Sequence, residues 1–251
     1  MKTRRTTQSR RVRRAFSSSE TLRALCGSAL VVVISVAAWA QTPPKFDSNR
    51  AWEHLRQLVA IGPRPSGSAA IEQSRKYIKD QLAAIGLKAV EQAWDDETPL
   101  GRVHMVNLIA TIPGASPNRI AITGHYDTKL FRDFRFVGAS DGGSSAAFLI
   151  ELARVLKARK NALTIEIVFL DGEEAVVEWR GTDHTYGSRH YVEAARRAKT
   201  LDSLKAMVLV DMIRRSLLRS MESRMPHAHA SSALACSAQY PSASRRSNAR
   251  S

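Results

Sequence analysis

The strand-like, apolar-rich run 165–169 ends in Leu170-Asp171-Gly172-Glu173-Glu174-Ala175, and no other stretch constrains this chain as much. Such a run is a buried strand, and adjacent carboxylates at its end are costly to desolvate unless they are paired or metal-bound. A pair of this kind permits a division of labour, with one carboxylate holding a cation and the other moving protons. Partners of matching type stand upstream. His125-Tyr126-Asp127 follows the strand-like residues 120–123, and Asp141 lies in Gly138-Ala139-Ser140-Asp141-Gly142-Gly143. Three acid or imidazole sites, each just after a β-like run, point to a zinc hydrolase type of site on the edge of a sheet.

The remaining pattern predicts what carries that edge. Asp47 or Ser48 can cap a helix in which Trp52, Leu55, Leu58 and Val59 fall at helical spacing. A break at Gly62-Pro63-Arg64-Pro65-Ser66-Gly67 precedes a second helix over 68–85, with Ile71, Tyr77, Ile78, Leu82 and Ile85 inward and Gly86 as its stop. Strands are expected at 88–93, 103–112 and 119–123, then a helix at 144–156 and a buried strand at 163–170. An amphipathic helix over 186–199 and a last apolar strand over 206–213, containing Asp211, complete the series. Strands alternating with helices imply an α/β domain, a three-layer α/β/α sandwich around a mixed, largely parallel sheet. In such sheets ligands collect beyond the carboxyl ends of the strands. His125, Asp141, Glu173, Glu174 and Asp211 all fall at or just after such ends. Taken singly, Glu173-Glu174 would read as a solvated helix start and Asp141 as a turn residue; their convergence is what favours a metal site.

The formal charge of +15 suggests nucleic-acid binding until it is divided along the chain. Residues 1–40 carry eight Lys/Arg against Glu20, and residues 214–251 carry seven Arg against Glu222, which leaves 41–213 at only +2. The basic charge belongs to the two ends, so no nucleic-acid face is required. The amino end reads as an export signal. Its basic residues precede an apolar stretch from Ala24 to Ala40 that closes on Ala38-Trp39-Ala40, with Gln41 as the expected first mature residue. Cleavage is favoured over an uncleaved anchor, because the stretch is about the minimum for spanning and contains Gly27, Ser28 and Ser35. The expected location is periplasmic or extracellular, with membrane attachment only if the segment stays uncleaved. The two cysteines, Cys26 and Cys236, fall outside 41–213, so a metal site there is built from His, Asp and Glu. The segment 41–213 is long enough for one catalytic domain. After Ile213 the chain turns rich in Arg, Ser and Ala without an apolar period. It reads as a disordered basic tail or a frameshifted translation, and the abrupt change within a strand-like segment favours the second, leaving the domain incomplete at its C-terminal side.

In order and interval, several motifs resemble the M28 zinc-peptidase family and, within it, the glutaminyl-peptide cyclotransferase branch. They are Ile61-Gly62-Pro63-Arg64-Pro65-Ser66-Gly67-Ser68, His125-Tyr126-Asp127-Thr128-Lys129, Phe136-Val137-Gly138-Ala139-Ser140-Asp141, Phe169-Leu170-Asp171-Gly172-Glu173-Glu174-Ala175 and Tyr186-Gly187-Ser188-Arg189-His190. The resemblance implies Asp141 and Glu174 as zinc ligands, Glu173 as general acid/base, and Asp211 as the acidic residue at the end of the next strand. It also implies a peptide substrate with a free N-terminus. In the aminopeptidase branch, His125 and Asp211 hold a second zinc. In the cyclase branch one zinc suffices and Asp211 hydrogen-bonds the reacting groups. A histidine ligand is expected well downstream of Asp211, where His227 and His229 stand in the wrong context. Trp179, five residues past Glu174, and the long interval before Tyr186 favour the cyclase, with Trp179 as an apolar wall for a glutamine side chain.

Overall fold

Four α-helices and five strands alternate along residues 43–213, the part of the chain that the computed structural model describes. The expected export signal over 1–40 and the tail over 214–251, with His227 and His229, lie outside the described residues. No described helix is long and apolar enough to cross a membrane.

Helix α1 (Ser48–Ile61) starts where the sequence places it. The Asp47 carboxylate accepts the backbone N–H groups of Asn49 and Arg50 at 2.8 and 3.3 Å. Its buried stripe differs from the expected one. Ala51, His54 and Leu58 face the core while Trp52 is 40 % exposed, because the small Ala51 lets α1 lie close against helix α3 (Ser144–Lys157). Helix α2 (Ala69–Ala84) is capped by the Ser68 hydroxyl, which accepts from Ile71 N–H at 3.2 Å. It buries Ile71, Ser74, Ile78 and Leu82 at helical spacing. It ends at Gly86, whose φ of 73° allows Leu87 and Gly86 to donate back to the Leu82 and Ala83 carbonyls.

Strands β1 (Ala89–Thr98) and β2 (Gly101–Ile112) form a longer hairpin than hydrophobicity alone suggests. The acidic stretch 95–97 is strand because its side chains find cross-strand partners: Asp95 meets His104 at 2.7 Å and Glu97 meets Arg102 at 2.9 Å. Strands β3 (Ser116–His125), β4 (Leu163–Leu170) and β5 (Leu204–Leu209) complete a mixed sheet of order β1-β2-β4-β3-β5. β2 runs antiparallel to β1 and β4, whereas β3 is parallel to both β4 and β5. One face, carrying Leu108, Ile122, Ile165, Ile167 and Phe169, packs on α1, α2 and α3; the other, carrying Ala121, Val168 and Leu170, packs on Tyr191 and Val192 of helix α4 (Tyr186–Arg197). These are the three expected layers. β5 ends four residues before the expected boundary. The backbone keeps one more bond, from Val210 N–H to the Thr123 carbonyl, and then turns so that Ile213 enters the core and donates to Ser144 Oγ at 2.8 Å. β5 lies at an edge of the described sheet, and Met207, Val208 and Leu209 are exposed there.

The carboxyl ends of β3, β4 and β5 therefore share one edge, and α4 closes against it at Gly187. A Cβ at this position would come 2.2 Å from the Asp171 carbonyl oxygen and 2.5 Å from Asn107 Oδ1. Asn107 in turn donates to the Gly187 carbonyl and accepts from Asp171 N–H, so neither neighbour can withdraw cheaply. Gly187→Ala is expected to destabilise the fold by about 1–3 kcal/mol, the usual cost of overpacking. Urea unfolding checks this, and an unchanged midpoint would contradict it.

Candidate metal centre

Each acidic or imidazole group reaches the shared edge by a local device. His125 is the last residue of β3, and its ring is buried. Asp141 sits in an irregular turn, Ala139–Gly143, ahead of α3, where Gly142 has φ 75°. A Cβ on Gly142 would meet the Asp127 carbonyl oxygen at 2.4 Å and the His125 ring at 3.0 Å, so only glycine lets the turn come this close. Asp211 follows the end of β5. Together, His125, Asp141 and Asp211 each offer a ligand atom, and these atoms lie within 4.8 Å of one another.

The centre of this set is His125 Nε2. It lies 3.0 Å from Asp141 Oδ1 and 3.4 Å from Asp211 Oδ1, yet it is buried without a well-formed hydrogen bond. Its other nitrogen, Nδ1, faces Asp127 Oδ1 at 3.2 Å, as a ligand imidazole oriented by a carboxylate does. Burial opposes a charge on His125, but Asp127, Asp141 and Asp211 outweigh it and push the imidazole well above its ordinary value. Asp211 is likewise opposed by burial, and the His125 contact holds it below the usual carboxylate range. Several carboxylates around one imidazole nitrogen are a donor set able to hold a cation, and nitrogen plus carboxylate oxygens suit zinc.

Glu173 and Glu174 stand beside this set, not in it. Gly172, at φ 65°, turns the chain after β4, and the Asp127 carboxylate then accepts both following N–H groups, Glu173 at 3.2 Å and Glu174 at 3.1 Å. Burial pushes both glutamates up to about 7, with Asp141 and Asp127 adding to the effect at Glu174; at Glu173 His125 opposes it while Asp127, Asp211 and Asp141 add to it. Glu174 also lines a cavity of about 310 Å³ with Pro65, Ser66, Leu100, Val103, Leu130 and Val176 among its walls. Trp179 is 54 % exposed, stacks on His184 at 4.7 Å, and is not among those walls.

Sequence reasoning passed over the residues that hold these groups in place. Asp127 was visible in the His125-Tyr126-Asp127 motif, at the two-residue spacing that puts both side chains on one side of an extended chain. Asp171 is fully buried, accepting from Ser66 Oγ at 2.6 Å and Val106 N–H at 2.9 Å, and burial pushes it up to about 6. Arg64 is also fully buried and donates to the carbonyls of Tyr126, Val137 and Gly138, tying the loop ahead of Asp141 to the end of β3. A proline-flanked arginine carries no sequence signal for such a role.

Protonation of these groups is linked to stability and to metal binding. Glu173 and Glu174 rise from an ordinary 4.5 to about 7, so the metal-free fold binds extra protons across that window. Their stabilising contribution is full below about 4.5 and is lost as pH rises through 7. His125 acts in the same direction, and the depressed Asp211 acts below this window. A cation replaces those protons, so zinc affinity should rise over the same range. The urea midpoint of chelator-treated protein is expected to fall from pH 5 to pH 8, with stoichiometric zinc restoring it. A midpoint that rises with pH in the metal-free protein would refute this assignment.

Fold and site together are those of an α/β enzyme with a candidate carboxylate–imidazole metal site at its parallel strand ends. The chain belongs to peptidase family M28, whose model matches residues 107–249. Among solved structures it is similar to an Acidobacteriales bacterium glutaminyl cyclase, at 37 % identity and TM-score 0.65 over 69 % of this chain and 61 % of that one. It is also similar to a leucine aminopeptidase precursor from Bacteroides thetaiotaomicron, at 26 % identity and TM-score 0.57 over 68 % and 64 %. Among curated relatives, a glutaminyl-peptide cyclotransferase of Drosophila melanogaster is 31 % identical over 64 % of this chain and 48 % of its own length. A glutaminyl-peptide cyclotransferase-like protein of Bos taurus is 34 % identical over 59 % and 42 %. The chain spans about half the length of these curated relatives.

Proposed function

We propose that this protein converts N-terminal glutaminyl peptides to pyroglutamyl peptides with release of ammonia, in a zinc-dependent reaction, and that it acts after export. The observation that carries the reading is the orphaned His125 Nε2 between Asp141 and Asp211, with Glu173 beside it at about 7. Similarity to glutaminyl cyclases among both curated relatives and solved structures supports the choice of reaction. His125, Asp141 and Asp211 fit a cation by chemistry and proximity; for the single zinc of the cyclase reading the family resemblance makes Asp141 and Glu174 the ligands and leaves Asp211 to hydrogen-bond the reacting groups. When bound, zinc would supply Lewis acidity toward the side-chain carbonyl of the N-terminal glutamine.

The chain's own residues account for the proton traffic. The substrate α-amine attacks its own side-chain carbonyl carbon, so the substrate itself supplies proximity. The new carbon–nitrogen bond closes a five-membered ring, and the bond to the amide nitrogen breaks. Glu173, beside the ligand set, accepts the proton shed by the amine and returns it to the departing ammonia. Asp211 orients the amine. Trp179 flanks the glutamine side chain, and the cavity beside Glu174 receives the next residues of the peptide.

A second reading, removal of the first residue by hydrolysis, is favoured by likeness to the leucine aminopeptidase precursor and by the pairing of His125 with Asp211. There Glu173 would take a proton from the attacking water, and two zinc ions would be held. Incubating the purified protein with zinc and a glutamine-initiated or a leucine-initiated peptide separates the two. Ammonia with a pyroglutamyl product supports the cyclase, and free leucine supports the peptidase. Neither product despite stoichiometric zinc would reject both, in favour of an inactive family member.

A further inference from the structure

Between Glu174 and α4 the chain makes an excursion, 175–185, that belongs to no strand or helix. Its base is closed by two backbone bonds, Thr185 N–H to the Glu173 carbonyl at 2.9 Å and Tyr186 N–H to the Gly172 carbonyl at 2.7 Å. Inside it sits Asp183, only 8 % exposed. Its carboxylate accepts three consecutive N–H groups, those of Val176, Val177 and Glu178, at 3.0, 2.8 and 2.8 Å, and the Tyr186 hydroxyl at 2.8 Å. Carbonyls on the other side are held by cations. Lys129 donates to those of Ala175 and Val177, and Arg189 donates to Thr182 and His184 at 2.7 and 3.0 Å. One carboxylate thus takes up the donors that a loop of this shape cannot satisfy internally.

What this clamp holds matters more than the clamp itself. Val176 is a wall of the cavity at Glu174, and Trp179 projects from the same loop to stack on His184, the neighbour of Asp183. Glu174, by contrast, is fixed independently, because Asp127 accepts its N–H. Losing Asp183 should therefore loosen the substrate side of the site and spare the metal side.

We propose that Asp183 is a positioning residue for substrate binding, holding in register the loop that carries Trp179 and Val176, a wall of the cavity at Glu174; this rests on the cyclase reading above. The test uses the full chain with zinc, a glutamine-initiated peptide, and the variants Asp183→Ala and Asp183→Asn. Asp183→Ala is expected to raise KM by about tenfold or more with kcat within about threefold, the pattern of lost ground-state binding. Asp183→Asn keeps one accepting oxygen and should fall between. An independent readout is tryptic cleavage after Arg180, whose flanking backbone the clamp pins; Asp183→Ala should speed it by about tenfold or more, with zinc content unchanged. Unchanged KM together with unchanged cleavage would overturn the proposal. So would an equal loss of kcat and zinc, which would place the action of Asp183 on the metal centre. If the unaltered protein cyclises no glutaminyl peptide, the reaction reading fails, and the Arg180 cleavage rate alone decides the clamp.

Discussion

Glu173→Gln is expected to lower turnover of a glutamine-initiated peptide by about 10²–10⁴-fold, the usual worth of a positioned acid–base group, while the protein keeps its fold and its zinc. The substitution preserves shape and removes the titrating proton site. Glu173 belongs to no part of the converging ligand set, and its backbone N–H, not its carboxylate, ties it to Asp127. Its environment pushes it up to about 7, chiefly through burial, with nearby carboxylates adding to the effect. Bound zinc would oppose that shift and leave the carboxylate ionised at neutral pH, ready to accept the proton of the attacking amine or water. Ammonia release measured beside zinc content by atomic absorption gives the answer. Activity within about threefold of the unaltered protein would exclude the proton role, whichever of the two reactions the protein performs.

The second large effect is expected from a residue outside the converging ligand set. Asp127→Ala removes the carboxylate that faces His125 Nδ1 and accepts the N–H groups of both Glu173 and Glu174. Asp127 is 1 % exposed, so water cannot take its place at no cost. The imidazole would lose its orientation and the glutamate turn its anchor. Zinc affinity should fall about 10–100-fold, as it does when the partner of a ligand histidine is removed. The fold should lose on the order of 3 kcal/mol, the scale of breaking a buried ion pair by removing one member. Chelator competition reads the first quantity and urea unfolding the second. A variant with unchanged zinc affinity would show that Asp127 serves the backbone alone.

The architecture was legible wherever period and punctuation coincide. The Asp47 cap, the second helix to within a residue at each end, the stop at Gly86, the strand over Leu163–Leu170 and the helix opening at Tyr186 all fall where local rules put them. Legibility failed where stability is supplied across strands. The acidic end of β1 holds no apolar pattern and is strand only because Arg102 and His104 face it. The same limit explains α1, where Trp52 looks like core by hydrophobicity but loses the buried face to Ala51. Close helix packing favours the small residue, and spacing cannot express that.

By itself the sequence determined which chemical groups this protein could bring to a site: His125, Asp141, Glu173, Glu174 and Asp211 each stand at the end of a strand-like run or in a glycine turn, and in an α/β sheet those ends meet. It could not determine which of them meet most closely. The tertiary structure gathers His125, Asp141 and Asp211 and leaves Glu174 beside them, because the register of β3 with β4 and β5 sets which strand ends are neighbours. Only the tertiary structure, too, recruited Asp127, Asp171 and Asp183. A carboxylate buried without a metal or a full cation partner is stable where backbone N–H groups converge on it, and those groups come from residues far apart in the chain or turned inward by a loop.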